Sequence, residues 1–440
     1  MSQKNGNIVA IVTMIFLFGM ISFVTNLAAP IGNIWKMQPG IDGSNTLGMM
    51  GNMMNFLAYA FMGIPAGRLL SKIGYKKTAL AAIAVGFVGV LVQFCSGLIP
   101  VEKVDLVNDA YPEGLSIPAG FYVYLLGAFI AGFSVCMLNT VVNPMLKILG
   151  GKKSNQYIQI GGTFNSMMGT LTPMLVGVLI GELIKGKSVI SDVNPVLFIA
   201  MGVFALAFLV INFINIQDPE TTRTSGPVVS PMKFKHFVYG IIAIFIYVGV
   251  EVGIPGTLNF FLSDVKNGAG LDPAIAVKIA GFVAGTYWFM MLIGRLTSSF
   301  ISSKVSARTQ LTTVSVVAIV LCLAAMFISK ENMTKMPVFT GSSFEMATVP
   351  VSALLLVLCG LCTSVMWGTI FDLSVEGLGG ATERASGIFM AMVVGGGILP
   401  LLQNFIADKV GYLPSYWVIV AGLAFILFFA VAGSRITKKA

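Results

Sequence analysis

Charge is scarce in this chain: Asp, Glu, Lys and Arg make up 10% of 440 residues, where soluble domains carry about a quarter. That excludes an ordinary water-soluble fold. Histidine is nearly absent, His236 being the single copy. No metal centre, nucleophile–base pair or phosphate loop is legible, and no cofactor is expected. Cysteine offers no disulfide framework, because Cys95, Cys136, Cys322, Cys359 and Cys362 all fall within apolar runs. Cys359 and Cys362 have redox spacing but no thioredoxin-like context, so they read as small buried hydrophobes.

Apolar length fills the gap. The chain is 56% hydrophobic, and its unbroken runs are long enough to span a bilayer as helices rather than as barrel strands. The spans read as 8–35, 46–70, 76–99, 119–149, 156–184 and 195–215. A second set follows at 237–262, 275–303, 308–329, 348–376, 383–407 and 413–434. The first run imitates a signal peptide, but no small-residue cleavage site follows it, so it counts as span 1. The fold class is therefore an all-α membrane protein of twelve transmembrane helices.

Even numbering puts both termini on one side. Lys and Arg are about twice as frequent on that side as on the other, which marks it as cytoplasmic. The net charge of +9 is thus a topology signal, and no nucleic-acid partner is implied. The polar stretch QDPETTRTSGPVVSPMKFKHF divides the chain into an N-terminal bundle (1–216), a cytoplasmic linker (217–236) that includes His236, and a C-terminal bundle (237–440). The connections 100–118 and 330–347 carry no nameable chemistry.

The halves repeat. IPAGRLLSKIGYKK closes span 2 and MLIGRLTSSFISSK closes span 8, while Asn143 falls opposite Asp372 when spans 4 and 10 are aligned from their closing Gly pairs. Asn26 and Glu251 each stand four residues before a proline. Parallel duplication of this kind is common in secondary transporters.

Glu251 lies near the middle of the run 237–261. A carboxylate at that depth costs several kcal/mol unless it is paired, protonated or facing water, which makes it a functional candidate by default. It is read as the cation-coupling group, taking a proton or helping to hold Na⁺. Asp372 offers the same chemistry from span 10, opposite Glu251 across a cavity or nearer the cytoplasmic end. No other metal site is expected. Asn26, Asn139, Asn143, Gln159, Asn165, Asn259 and Gln403 carry amides that both donate and accept, as a hydroxyl-bearing ligand requires, or else they bond between helices. Asn404 ranks behind them. Trp288 and Trp367 either stack on the flat face of a ligand or pack against neighbours. Pro30, Pro144, Pro255, Pro400 and Gly395–Gly397 read as kink and close-packing elements.

GRLLSKIGYKK at 67–77 resembles the loop motif of the major facilitator superfamily, with Ser71 in place of its acid and Lys72 in place of its arginine. VNPMLKILG, QIGGTFNSMMGTLTP, YVGVEV and the long run TIFDLSVEGLGGATERASGIFMAMVVGGGILPLLQNFIAD resemble the fucose–hexose symporter family within it. That resemblance implies two six-helix bundles related by a pseudo-two-fold axis, alternating access, and import of a monosaccharide with H⁺ or Na⁺. Three places depart from the family pattern: Asn26 stands for an aspartate, Asn139 for a glutamate and Gly162 for a glutamine. Amides cannot load and release a proton, so the expected coupling rests on Glu251. The partners expected are a sugar, a coupling cation and the bilayer, with the chain acting as a monomer in a bacterial inner membrane. A sugar uniporter, a cation-driven exporter of lipophilic compounds and a non-transporting sensor stand as alternatives. An enzyme is not expected.

Overall fold

In lipid a run of about twenty residues must satisfy its backbone internally, and a helix does this. The computed structural model describes residues 2–99, 117–150, 154–180, 188–214, 230–301, 305–378 and 382–436. Its helices are α1 (Ser2–Lys36), a run Asn45–Ser96 that breaks into α2 (45–73) and α3 (75–96), α4 (Ala119–Gly150), α5 (Ser154–Ile180) and α6 (Asn194–Phe213). The second half supplies α7 (Lys235–Ser263), α8 (Pro273–Ile301), α9 (Ala307–Phe327), α10 (Val351–Val375), α11 (382–410) and α12 (Tyr412–Gly433). Eleven of these are long and apolar enough to cross a membrane. The twelfth, α2, has its apolar stretch interrupted by Asn52 and Asn55.

The break between α2 and α3 is at Gly74, whose φ of 82° lies in the region that glycine tolerates without steric cost. Helices then alternate between two faces. The ends of α2, α4 and α6 share one face with the chain termini, here the terminal face; the ends of α1, α3 and α5 lie at the distal face.

The two bundles meet along α2–α11 and α5–α8, where small residues let backbones approach closely. Gly397 of α11 sits against Met53 of α2, Gly281 of α8 against the Pro173 carbonyl, and Gly285 against the Thr170 carbonyl. One of these contacts repairs a kink. Pro400 has no N–H for the Gly396 carbonyl one turn earlier, and Asn52 Nδ2 of α2 donates to that oxygen at 2.8 Å.

Two connections differ from the sequence reading. The connection 330–347, read as an outer loop without nameable chemistry, overlaps a hairpin, β1 (Met333–Phe339) and β2 (Phe344–Pro350), antiparallel with Phe339 opposite Phe344. Gly341 at φ 101° makes its turn. The hairpin lies against α8: Phe339 stacks on Phe289 at 4.8 Å, and its N–H donates to Thr286 Oγ1 at 3.0 Å. His236 is not in a linker but in the first turn of α7, buried, with Nε2 2.9 Å from the Glu376 carbonyl at the end of α10. It ties α7 to a helix C-terminus, where carbonyls lack intrahelical partners.

Candidate substrate and cation site

Glu251 is half-buried on α7, one turn before the Pro255 kink. Its Oε1 lies 2.8 Å from the Tyr247 hydroxyl, one turn towards the terminal face, and 3.5 Å from Arg295 on α8. Arg295 reaches further. Its other terminal nitrogen donates to Ser166 Oγ at 2.7 Å and to the Gly162 carbonyl at 3.1 Å, both on α5. One guanidinium therefore joins the acid of the second bundle to a helix of the first.

The Tyr247 hydroxyl has a second acceptor in the Thr363 carbonyl of α10, 3.1 Å away. It carries one proton and can serve one of the two acceptors at a time. Thr363 Oγ1 in turn meets the Tyr287 hydroxyl at 2.9 Å. The chain Arg295–Glu251–Tyr247–Thr363–Tyr287 thus links α5, α7, α8 and α10 around one carboxyl group. On this level Gly162 and, on α10, Gly368 border open space.

The amides read from sequence scatter around this cluster. Asn26 of α1 donates to the Ser22 carbonyl at 2.9 Å, and Asn165 of α5 donates to the Phe18 carbonyl of α1 at 2.8 Å. Asn139 of α4 donates to the Tyr59 hydroxyl of α2 at 2.7 Å. All three are half-buried. Trp288 is buried beside Tyr287 and against Gly169 of α5. Trp367 packs edge-on to Tyr247 and Phe389. The side chains of Asn143 and Gln159 lie outside the described residues.

Four residues sit away from the cluster. Asn259 is buried at the distal face, where its Oδ1 accepts from Asn33 Nδ2 of α1 at 2.6 Å; it seals the bundles together there. Gln403 is fully buried against Gly253 of α7, and neither its Oε1 nor its Nε2 has a partner among the described residues. Its neighbour Asn404 is also buried and bonds Thr257 Oγ1 of α7 at 3.0 Å. Asp372 is exposed, five residues beyond Trp367 towards the terminal face, about 7 Å further along α10. It does not stand opposite Glu251.

Sequence reasoning missed Arg295 and Tyr247. Arg295 was visible only as part of the repeated Gly-Arg-Leu, which reads as a basic helix end. Span 8 runs past it in the sequence as in the structure, but only the packing shows the guanidinium at the level of an acid on the neighbouring helix.

The model of the Major Facilitator Superfamily matches residues 9–399. The chain belongs to that superfamily. It is 27% identical over 445 residues to the glucose/galactose transporter of Brucella abortus, covering 99% of this chain and 96% of the relative. It is 22% identical over 408 residues to the L-fucose-proton symporter of Escherichia coli, covering 86% and 83%. The crystal structure of the superfamily transporter FucP in its outward conformation superposes with a TM-score of 0.63 at 19% identity, over 97% of this chain and all of the other. The twelve helices are thus the major facilitator fold in a multi-pass membrane protein.

Proposed function

We propose that this protein imports a monosaccharide by alternating access, coupled to a cation that binds and leaves at Glu251. The carrying observation is the position of that carboxyl group, held by Tyr247 and by an arginine that also grips the opposite bundle. The two sugar-transporting relatives support the substrate class. Amides Asn26, Asn139 and Asn165, with Trp288 and Trp367, would meet the sugar between the bundles. Asp372 would serve as an outlying acid on the path from the terminal face. The N-terminal half and the half that begins with α7 would rock about this site, joined by the polar connection between them, with both termini in the cytoplasm of a bacterial cell.

The chemistry follows from the partners. A proton arriving at Glu251 converts the carboxylate to a carboxylic acid, and the acid no longer attracts the guanidinium. Tyr247 is then free to turn its proton to the Thr363 carbonyl. Arg295 keeps its bonds to Ser166 and Gly162, so it changes allegiance from α7 to α5. Cation and sugar load together because each lowers the cost of the other, and that coupling is reciprocal. Na⁺ neutralising the same carboxylate would work alike.

The test is uptake into proteoliposomes of labelled fucose, glucose, galactose, mannose and N-acetylglucosamine. Each sugar is run with an imposed pH gradient, with an imposed Na⁺ gradient and with neither. Accumulation of one sugar under one gradient is expected. Equilibration that ignores both gradients would make the protein a uniporter, and no uptake of any sugar would remove the substrate class.

A further inference from the structure

The distal face is closed by a lock that the transport cluster does not use. Asp408, near the end of α11, points its carboxylate at the first turn of α2 in the other bundle. Oδ1 accepts from the Asn45 N–H at 2.7 Å; Oδ2 accepts from the Thr46 N–H at 2.9 Å, Thr46 Oγ1 at 2.6 Å and Ser44 Oγ at 3.0 Å. Ser44 is itself the N-cap residue of α2, its Oγ accepting from the Leu47 N–H. The first N–H groups of a helix have no intrahelical acceptor, and its N-terminus carries partial positive charge. A carboxylate satisfies both needs. Here it comes from the opposite half of the molecule, and among the described residues all its hydrogen bonds go to 44–46.

Beneath it lies a buried cation. Lys36, the last residue of α1, is 3% exposed. It donates to Asn45 Oδ1 and to the Tyr412 hydroxyl of α12, and it sits 4.3 Å above the Phe260 ring of α7. The Tyr412 hydroxyl is also 2.8 Å from Asp264 Oδ2. Lys36, Ser44, Asn45 and Thr46 belong to the first bundle; Phe260, Asp264, Asp408 and Tyr412 belong to the second. Ser44, Asn45, Thr46, Asp264, Asp408 and Tyr412 line a depression of about 790 Å³ open to the distal side.

We infer that Asp408 is a positioning residue for transport: a helix cap supplied in trans that latches the distal gate and must be released each time the bundles part there. The inference rests on the alternating-access reading. With the cap on one bundle and the capped helix on the other, the bonds cannot survive separation. Opening exposes four donors and Lys36 to water, so the latch sets how often the empty carrier opens distally.

The test reads gate opening without any sugar, so it stands apart from the substrate assignment. The full chain in lipid nanodiscs carries Gly256→Cys as a reporter, since Gly256 lies under the latch where α7 meets Met49 and Ala29; the exposed Cys95 is replaced by Ser. Maleimide labelling of the reporter is compared with labelling of the buried native Cys322. Asp408→Asn is expected to speed reporter labelling about tenfold and Thr46→Val about threefold, with Cys322 unchanged. Reporter rates equal to the parent in both variants would overturn the inference. So would a rise matched at Cys322, which would mean that the cap only holds the fold together.

Discussion

Arg295 binds three acceptors on two helices with one guanidinium, and its geometry makes its substitutions unequal. Arg295→Met leaves Glu251 without its cation and Ser166 without its donor. Breaking a fully buried pair from one side costs about 3–5 kcal/mol; this pair is half-buried, so thermal unfolding should shift down by less than that, while gradient-driven uptake should vanish. Arg295→Lys keeps a charge but not the planar fork. It should restore most of the stability and little of the uptake. Equal uptake in Lys and wild-type proteins would mean that only charge matters at 295. Gln403 predicts the opposite. An amide buried without partners bears the cost of desolvation with no return, so Gln403→Leu should unfold at the same temperature as wild type or higher, with uptake retained. Loss of uptake in a well-folded Gln403→Leu protein would restore Gln403 to the substrate site.

The proline kink of α11 is the clearest test among the helices. If Asn52 is retained to satisfy the carbonyl freed by Pro400, Asn52→Leu should cost about 1–3 kcal/mol in an otherwise native protein. With Pro400→Ala the Gly396 carbonyl regains a helical donor, and Asn52→Leu should then cost less; a double-mutant cycle on unfolding measures the difference. Additive effects would separate the two residues. The helices also show where sequence reading stops. Their number and ends were legible because apolar length has a physical scale in a bilayer. The side each residue faces was not. Spans such as α7 and α10 are apolar all round, so nothing in the pattern tells Glu251, which meets Arg295, from Asn259, which seals the distal face. The hairpin 333–350 was hidden for another reason: its strands are short, and Pro337 and Lys335 obscure the alternation that marks a strand. Arg295 and Tyr247 acquire meaning only from the helices beside them.

At the scale of the whole molecule, the bonds that cross between the bundles among the described residues include Asn52 on the Gly396 carbonyl and two sets at different depths. The distal set is Asn33–Asn259, Lys36–Tyr412 and the Asp408 cap; the deeper one is Arg295 on α5. Only the deeper set includes the acid that a cation can neutralise. The measurement that decides the account compares accumulation and counterflow of the same labelled sugar in wild type and Glu251→Gln proteoliposomes. Counterflow needs only that the bundles rock with sugar bound, whereas accumulation needs the cation to load and leave. The glutamine variant should keep counterflow within a few-fold of wild type and lose accumulation entirely under any gradient. Accumulation persisting in Glu251→Gln would contradict the assignment of coupling to this residue.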